Sequence, residues 1–545
     1  MTWHCLAFEV NSIQRWIFGS GKLRAIAGGS KLVSGITDEL LEATLEALPV
    51  EVEDQLAFAR QAGGVFIALS ENEQAVAVLR RTWPLLVSRY APGLSFSMGY
   101  AQAETVKAAM DNARADIGAS GALPQPNLPL ATPVMERSRR TGRSAVRRSR
   151  NDDEPVDAVT AAQLDAEERS RDSQGSPDIG ARLARALKLD RDPWPRDMEP
   201  TQNESDHSFP FLRDEKDEIV NRYVALVHAD GNGLGQLLQK LELGDGRQRI
   251  ERHLDFSEAL NNATEAACVH ACRQVLLPEI TEDGRLPARP ILLGGDDLSF
   301  IVRADLALHF TQVFLDAFER ETQGIDGVPN EGLTACAGLA YLRSNQPFYM
   351  GMELAEALCS HAKKQVREYT GPSGPMFSAL CQHRSTDSLI SDWEALLEHS
   401  LTLPARADDA KAFRLTMETW SLRQANPYGF PPIKALFDLL DFFEEPVISR
   451  GPARKLLGLI GLQSKLVAQK YSRWLEMLAK ADLSRSLDER FLDLLQVGVD
   501  AERLADGPFI DWETHWATPI PEALALKAMG VKAQIPSTGN EEKAA

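Results

Sequence analysis

Three aspartates stand where a phosphoryl-transfer reaction needs them. Asp230 closes the apolar run RYVALVHAD, and Asp296 and Asp297 lie in ILLGGDDLSFIV between two strongly apolar segments. In nucleotidyl transfer a hydroxyl attacks a phosphorus crowded by negative oxygens. Two divalent cations lower the pKa of the attacking oxygen and neutralise charge on the leaving pyrophosphate. Such cations, Mg²⁺ or Mn²⁺, take carboxylate oxygens, so the carboxylates must converge. Asp230, Asp296 and Asp297 are therefore the candidate catalytic residues and metal ligands of a two-metal site. Gly231, Gly233, Gly294 and Gly295 allow backbone to approach a phosphate closely. Lys363, next to Lys364 late in a helical segment, offers a point charge to a triphosphate.

A single Asp-Gly or Gly-Asp is usually only a turn. Three features argue for chemistry here: a carboxylate pair between two apolar strands, a second aspartate at a strand end, and a later helix with paired lysines. Those residues need elements to hold them. RYVALVHAD reads as a buried strand, and DGNGLG turns it into a helix. A second helix surrounds Phe256 to Leu276. RPILLGGDDLSFIVR reads as a hairpin. Asp305 reads as the cap of the next helix, whose Leu306, Phe310, Val313, Phe314 and Phe318 share one face. GLTACAGLAYL is a further strand and ELAEALCSHAKKQVRE a further helix. This order predicts a ferredoxin-like palm, with helices on one face of an antiparallel sheet.

The first part of the chain repeats the pattern. QAGGVFIAL parallels ILLGGDDLSFIV, and GLSFSMGYA parallels GLTACAGLA. The comparison predicts an internal duplication of the palm. Gly63-Gly64 is followed by Val65-Phe66 where the second copy has Asp296-Asp297, so only the second palm is expected to keep its metal ligands.

The 545 residues divide into four parts: a first, degenerate palm (1–118), a partly disordered linker (119–215), a second palm (216–385) and a helical C-terminal domain (386–545). The fold class is therefore α+β. The linker is rich in Pro, Asp, Glu, Arg and Ser and buries little apolar surface. It contains ERSRRTGRSAVRRSR followed by NDDEP, which reads as a solvated, self-neutralising run in preference to the alternative of an RNA-contacting arm over 137–150. The tail STGNEEKAA reads as disordered. The net charge of -19 opposes direct binding of free nucleic acid, so RNA or DNA must be brought by a partner or met by a local patch. Six cysteines without a CxxC pair fit a reducing compartment and no zinc ribbon. Cys268, His270 and Cys272 sit in an apolar helical stretch and read as packing. Without a long apolar run or a signal-type N-terminus, the expected location is the cytoplasm.

DGNGLG, LLGGDDLSFIV and GLAYL…QPFYMGMELAEALCSHAKK resemble the second palm of the large polymerase/cyclase subunit of type III CRISPR effector complexes. IQRWIFGSGKLRAIAGGSKLVSGI resembles the opening of that subunit's first palm, notably in the Cmr-type branch, and NPYGFPP fits its final domain. The resemblance implies an enzyme that turns ATP into cyclic oligoadenylate when target RNA reaches a complex of other subunits and guide RNA. It implies metal ligation by Asp230 and Asp296, a catalytic hairpin completed by Asp297, and triphosphate contact by Lys363. Gly231, Gly294, Gly295 and Asn232, where many relatives carry Asp, are the implied nucleotide-contacting turn residues. Ser30 in GGS and Ser257 in DFSEAL are the implied adenine-site serines. The family's HD nuclease domain and its cysteine zinc cluster have no counterpart, so nuclease activity is not expected. A stand-alone palm cyclase, a non-catalytic scaffold and a diguanylate cyclase are the competing readings. The intact aspartates weigh against a scaffold, and two palms in one chain weigh against a diguanylate cyclase.

Overall fold

The computed structural model describes residues 2–49, 55–120, 131–150, 152–171, 178–198, 207–241, 243–371, 374–385, 391–405, 411–423, 430–445, 448–460, 464–479, 507, 509–512 and 514–535. The first palm is built from β1 (Trp3–Asn11), α1 (Ile13–Phe18), α2 (Leu23–Thr37), α3 (Glu39–Glu46), β2 (Ala57–Ala62), β3 (Val65–Ser70), α4 (Glu73–Tyr90), β4 (Ser95–Ala103) and α5 (Val106–Ser120). Then come a two-stranded hairpin, β5 (Arg147–Arg148) with β6 (Pro155–Val156), and two helices, α6 (Ala158–Arg171) and α7 (Ile179–Ala186). The second palm comprises β7 (Tyr223–Gly231), α8 (Leu234–Lys240), α9 (Gly246–Ala271), β8 (Ala288–Gly294), β9 (Asp297–Arg303), α10 (Ala304–Glu321), β10 (Ala335–Arg343), α11 (Phe348–Thr370) and β11 (Ala379–Arg384).

The duplication is present strand for strand. The first sheet has the order β2-β3-β1-β4, and the second contains β8-β9-β7-β10 in the same order, extended by β11 and later by β14. Each copy also uses a glycine to seat its last helix on the sheet. A Cβ on Gly99 would stand 2.0 Å from the Ala113 carbonyl oxygen, and one on Gly338 would stand 2.0 Å from that of Ala355. The turns correct the sequence alignment by one residue. Ala62 pairs with Val65 and Gly294 with Asp297, so the two-residue loops are Gly63-Gly64 and Gly295-Asp296. Gly63, Gly64 and Gly295 all have positive φ, which fixes these loops as tight hairpin turns. The ladders thus place Gly64 opposite Asp296, and Val65 opposite Asp297.

Helices cover both faces of the second sheet, not one as expected. Ala225, Val227 and Ala229 pack with α9 and α10, whereas Val224 and Leu226 pack with α11. The continuous apolar run of β7 is the reason: a strand buried on both sides has no polar face. Within α10, Leu306, Phe310, Phe314 and Phe318 are buried and Val313 partly so. Asp305 does not cap it. Its carboxylate receives the Arg303 guanidinium at 2.7 and 2.9 Å, because the helix already begins at Ala304.

The palms pack reciprocally. Ser30 on α2 donates its hydroxyl to the Ile291 carbonyl of β8, and His253 on α9 meets the Ala59 carbonyl of β2 at 2.9 Å. The stretch expected to be a linker supplies packed helices where it is described. Gln163 of α6 donates to the Trp16 carbonyl at 3.0 Å, and Val159 and Ala166 of that helix are buried. Average composition hid this, because few apolar residues suffice when they share one helical face. The arginine run is mostly self-neutralising. Arg147 pairs with Asp165, Arg148 with Glu136 and Asp153, and Arg150 with Glu168.

The C-terminal part is helical, with α12 (Ile433–Glu444), α13 (Arg450–Leu457), α14 (Ser464–Ala479) and α15 (Ile520–Ala528). It also carries a small sheet of β12 (Thr402–Leu403), β13 (Ala412–Arg414), β15 (Ile510–Trp512) and β16 (His515–Ala517), while β14 (Thr419–Ser421) joins the second palm's sheet. The tail from 536 lies outside the described residues. A buried and a half-buried glutamate dock this part. Glu418, at positive φ, accepts from His361 at 2.8 Å and Gln365 at 2.9 Å on α11. Glu522 of α15 accepts from the Met417 amide at 2.8 Å and the Trp420 indole at 3.1 Å.

Burial pushes the Glu522 carboxyl up to about 7 from an ordinary 4.5. A raised folded-state pKa contributes stability that is complete below about pH 4.5 and is lost as pH rises through about 7. The unfolding free energy of the natural protein minus that of Glu522→Gln is therefore expected to fall by about 3 kcal/mol across that window. Urea unfolding of both chains at several pH values checks this; a pH-independent difference contradicts it.

Candidate active site

Strand ends and one turn bring the acidic residues together. Asp230 is the penultimate residue of β7, beside β9, Asp296 lies in the β8–β9 turn and Asp297 opens β9. Each offers a carboxylate oxygen, and the three oxygens lie within 4.8 Å of one another. Among the described residues no other group of this kind occurs, and Cys268 and Cys272 are buried helix packing as expected. Gly231 makes the convergence possible: a Cβ there would stand 2.7 Å from both Cβ and Oδ2 of Asp296. The turn is anchored from α9, where Asn261 Oδ1 accepts from the Gly295 amide at 3.2 Å and the Thr264 hydroxyl donates to the Gly295 carbonyl at 2.5 Å.

The electrostatics are those of a site short of positive charge. Burial, and then the Asp230 carboxylate, push Asp296 up to about 6. Burial, Asp230 and Asp296 push Asp297 well above its ordinary range. Lys363 of α11 donates to Asp230 and, at 2.8 Å, to the Gly231 carbonyl. Burial opposes its charge, yet Asp230 holds it above its ordinary value. One ammonium among three carboxylates leaves a negative, all-oxygen donor set that fits a hard divalent cation such as Mg²⁺ or Mn²⁺.

The other candidates fall into two groups. Gly294 and Gly295 belong to the turn itself. Lys364 points away and pairs with Glu394 at 3.7 Å. The Asn232 side chain is turned inward, donating to the Thr334 hydroxyl at 3.0 Å and the Phe377 carbonyl at 3.3 Å. Ser30 is buried at the contact between the palms. Ser257 is half-buried on α9, one turn before Asn261.

Several residues at the site were not singled out in the sequence. Glu9 pairs with Ser97 of β4 as Asp230 pairs with Cys336 of β10, so Glu9 is the first palm's counterpart of Asp230. Aligning HCLAFEV with VALVHADG would have found it. A cavity of about 1010 Å³ between the palms is lined by both Glu9 and Asp296, and by Arg60, Arg114, Arg249 and Lys107. Its cationic residues come from β2, α5 and α9, so no short motif announces them.

Duplicated sheets, a carboxylate-bearing hairpin and a facing strand-end aspartate define a palm domain of the nucleotidyltransferase and cyclase kind. Residues 223–370 match the family model described as Cas10/Cmr2, second palm domain. Among solved structures, the chain is similar to a Csm1–Csm4 cassette in complex with AMPPNP: 13% identity, 67% of this chain and 53% of that chain covered, TM-score 0.38. It is similar to the same cassette in complex with cA4, at 13% identity, 88% and 69% coverage and a TM-score of 0.39. It is also similar to the Csm1 of T. onnurineus, at 14% identity, 97% and 69% coverage and a TM-score of 0.46. The chain spans about half the length of the first of these. No curated protein matches it. Among the described residues no helix is long and apolar enough to cross a membrane.

Proposed function

We propose that this chain is the polymerase/cyclase subunit of a type III CRISPR effector complex, of the Cmr-type branch, and that it converts ATP into a cyclic oligoadenylate. The observation that carries the reading is the convergence of Asp230, Asp296 and Asp297 beside Lys363 in the stretch that matches the Cas10/Cmr2 second palm. Asp230, Asp296 and Asp297 would hold two Mg²⁺ or Mn²⁺ ions, which supply charge neutralisation on the phosphates and a lowered pKa at the attacking 3′-hydroxyl. The chain's own residues do the rest. Lys363 moves from Asp230 to the donor triphosphate once Asp230 is engaged. Gly231 and Gly295 keep the backbone low, so that the α-phosphorus reaches the hydroxyl. The first palm and the facing α9 hold the acceptor nucleotide, with Arg60 and Arg114 of the one and Arg249 of the other on its phosphates; where the second palm has Asp230, Asp296 and Asp297 the first has Glu9, Gly64 and Val65, one carboxylate and too few to hold two metal ions.

RNA reaches this chain through partner subunits. The net charge of -19 repels phosphate over roughly a Debye length of 8–10 Å, and the arginine run is largely spent on its own carboxylates.

The purified chain, alone and with its partner subunits, guide RNA and target RNA, is incubated with ATP and Mg²⁺ or Mn²⁺, and products are identified by mass. Cyclic oligoadenylates formed only with target RNA are the expected result. Product formed without RNA would favour a stand-alone cyclase, and no product under any condition a scaffold. Arg60→Ala is expected to lower kcat/KM for ATP by about 10–100-fold, the loss of a charge-assisted phosphate contact. Steady-state kinetics check this, and an unchanged kcat/KM removes the arginines from the acceptor site.

A further inference from the structure

The β1–α1 turn, the start of β4, residues 140–143 ahead of β5, the start of α6 and the start of α11 enclose a second cleft of about 490 Å³. It shares no lining residue with the cavity between the palms. Arg15, Arg140 and Arg143 line it, and none of its lining residues is acidic, in a chain whose net charge is -19. Arg140 reaches Glu154 at 3.4 Å, but the side chains of Arg15 and Arg143 make no hydrogen bond or ion pair among the described residues. They stand apart from Arg147, Arg148 and Arg150, which carboxylates neutralise. Ser12, Ser20 and Ser95 also line the cleft, and Tyr349 stands at it 40% exposed.

Uncompensated arginines in a concave site call for an anion. A guanidinium fork fits two phosphate oxygens, hydroxyls complete the phosphate and ribose contacts, and an exposed aromatic ring offers a base a stacking face. We propose that this cleft binds a phosphate-bearing nucleotide of one or two units, with its phosphates on Arg15, Arg140 and Arg143 and a base against Tyr349. The nucleotide is either free or part of a single strand. An acidic peptide would use the arginines but leave the serines and the ring without a role.

The full chain is titrated in EDTA, which keeps the metal site out of the reading, with a 5′-labelled hexa-adenylate at several salt concentrations. AMP and a hexaglutamate peptide serve as competitors. The expected slope of log K against log salt corresponds to two or three phosphates at about 0.7 each. Arg15→Glu with Arg143→Glu should weaken binding at least about tenfold and cut that slope by more than half. Tyr349→Ala should weaken binding about tenfold and leave the slope unchanged, because stacking releases no counterion. Arg143→Gln replaces the double reversal if the latter melts early. Displacement of the strand by AMP identifies a free nucleotide as the ligand, and binding that AMP does not displace identifies a strand; both support the site. Arginine variants that bind as the natural protein does, or full displacement by hexaglutamate, would overturn it.

Discussion

Replacing Asp296 and Asp297 by alanine is expected to lower nucleotide turnover by at least about 10³-fold and to leave the fold intact. The three carboxylate oxygens within 4.8 Å of one another are the one such cluster among the described residues, and this variant removes two of the three groups. Loss of transition-state electrostatic stabilisation of this kind is typically worth several kcal/mol, and each 1.36 kcal/mol is about a factor of ten in rate. The fold should tolerate the change because both aspartates lie at a hairpin turn, where burial and then like-charge contacts raise their pKa values. Relief of that repulsion should leave the melting temperature of the metal-free chain equal to or above that of the natural protein. Product assays and thermal melts on the same preparation check both halves. Turnover within tenfold of normal would remove the hairpin from the chemistry, and a chain that melts early would make the loss uninformative about catalysis.

The second large effect is on stability. Gly338→Ala places a methyl group 2.0 Å from the Ala355 carbonyl oxygen and 2.5 Å from the Cys359 amide. Neither is the flexible end of a side chain, so α11 must move off the sheet. Overpacking of this kind costs about 3 kcal/mol or more. The same helix carries Lys363 two turns later, and its displacement also separates the ammonium from Asp230. A large loss of stability together with a loss of turnover is expected. Gly99→Ala meets the Ala113 carbonyl in the same way, but on the helix that carries Lys107 and Arg114 of the cavity between the palms, not Lys363. It should destabilise comparably while leaving the geometry of the Asp230 site in place. Denaturant unfolding of both variants checks the pair. A change below about 0.5 kcal/mol in either would mean the helix yields without cost.

Much of the chemistry was legible because it rests on residue type at turns. Asp230, Asp296 and Asp297 announce themselves by carboxylates at strand ends among glycines, and the structure brings them together. The repeated palm was legible because GLSFSMG and GLTACAG preserve the glycine that seats a helix. The register of the first hairpin was not, because Gly63 and Gly64 both suit a turn and only the ladder partners Ala62 and Val65 decide where it begins. Glu9 was missed because a glutamate replaces an aspartate and no glycine turn follows it. Arg60, Arg114 and Arg249 come together only when α9 of one palm packs on β2 of the other, which no local pattern states. Ser30, Ser257 and Asn232 came from resemblance alone. In this structure Ser30 spends its hydroxyl on the Ile291 carbonyl, and Asn232 spends its side-chain amide N–H groups on Thr334 and Phe377.

The most direct test of the central claim is a crystal structure with Mn²⁺ and a non-hydrolysable ATP analogue, read by the anomalous signal of the metal. Peaks at about 2.0–2.3 Å from carboxylate oxygens of Asp230, Asp296 and Asp297, with none beside Glu9 and Gly64, are the predicted result. Peaks of equal height in both palms, or none at Asp230, would contradict the assignment of a single metal-bearing palm.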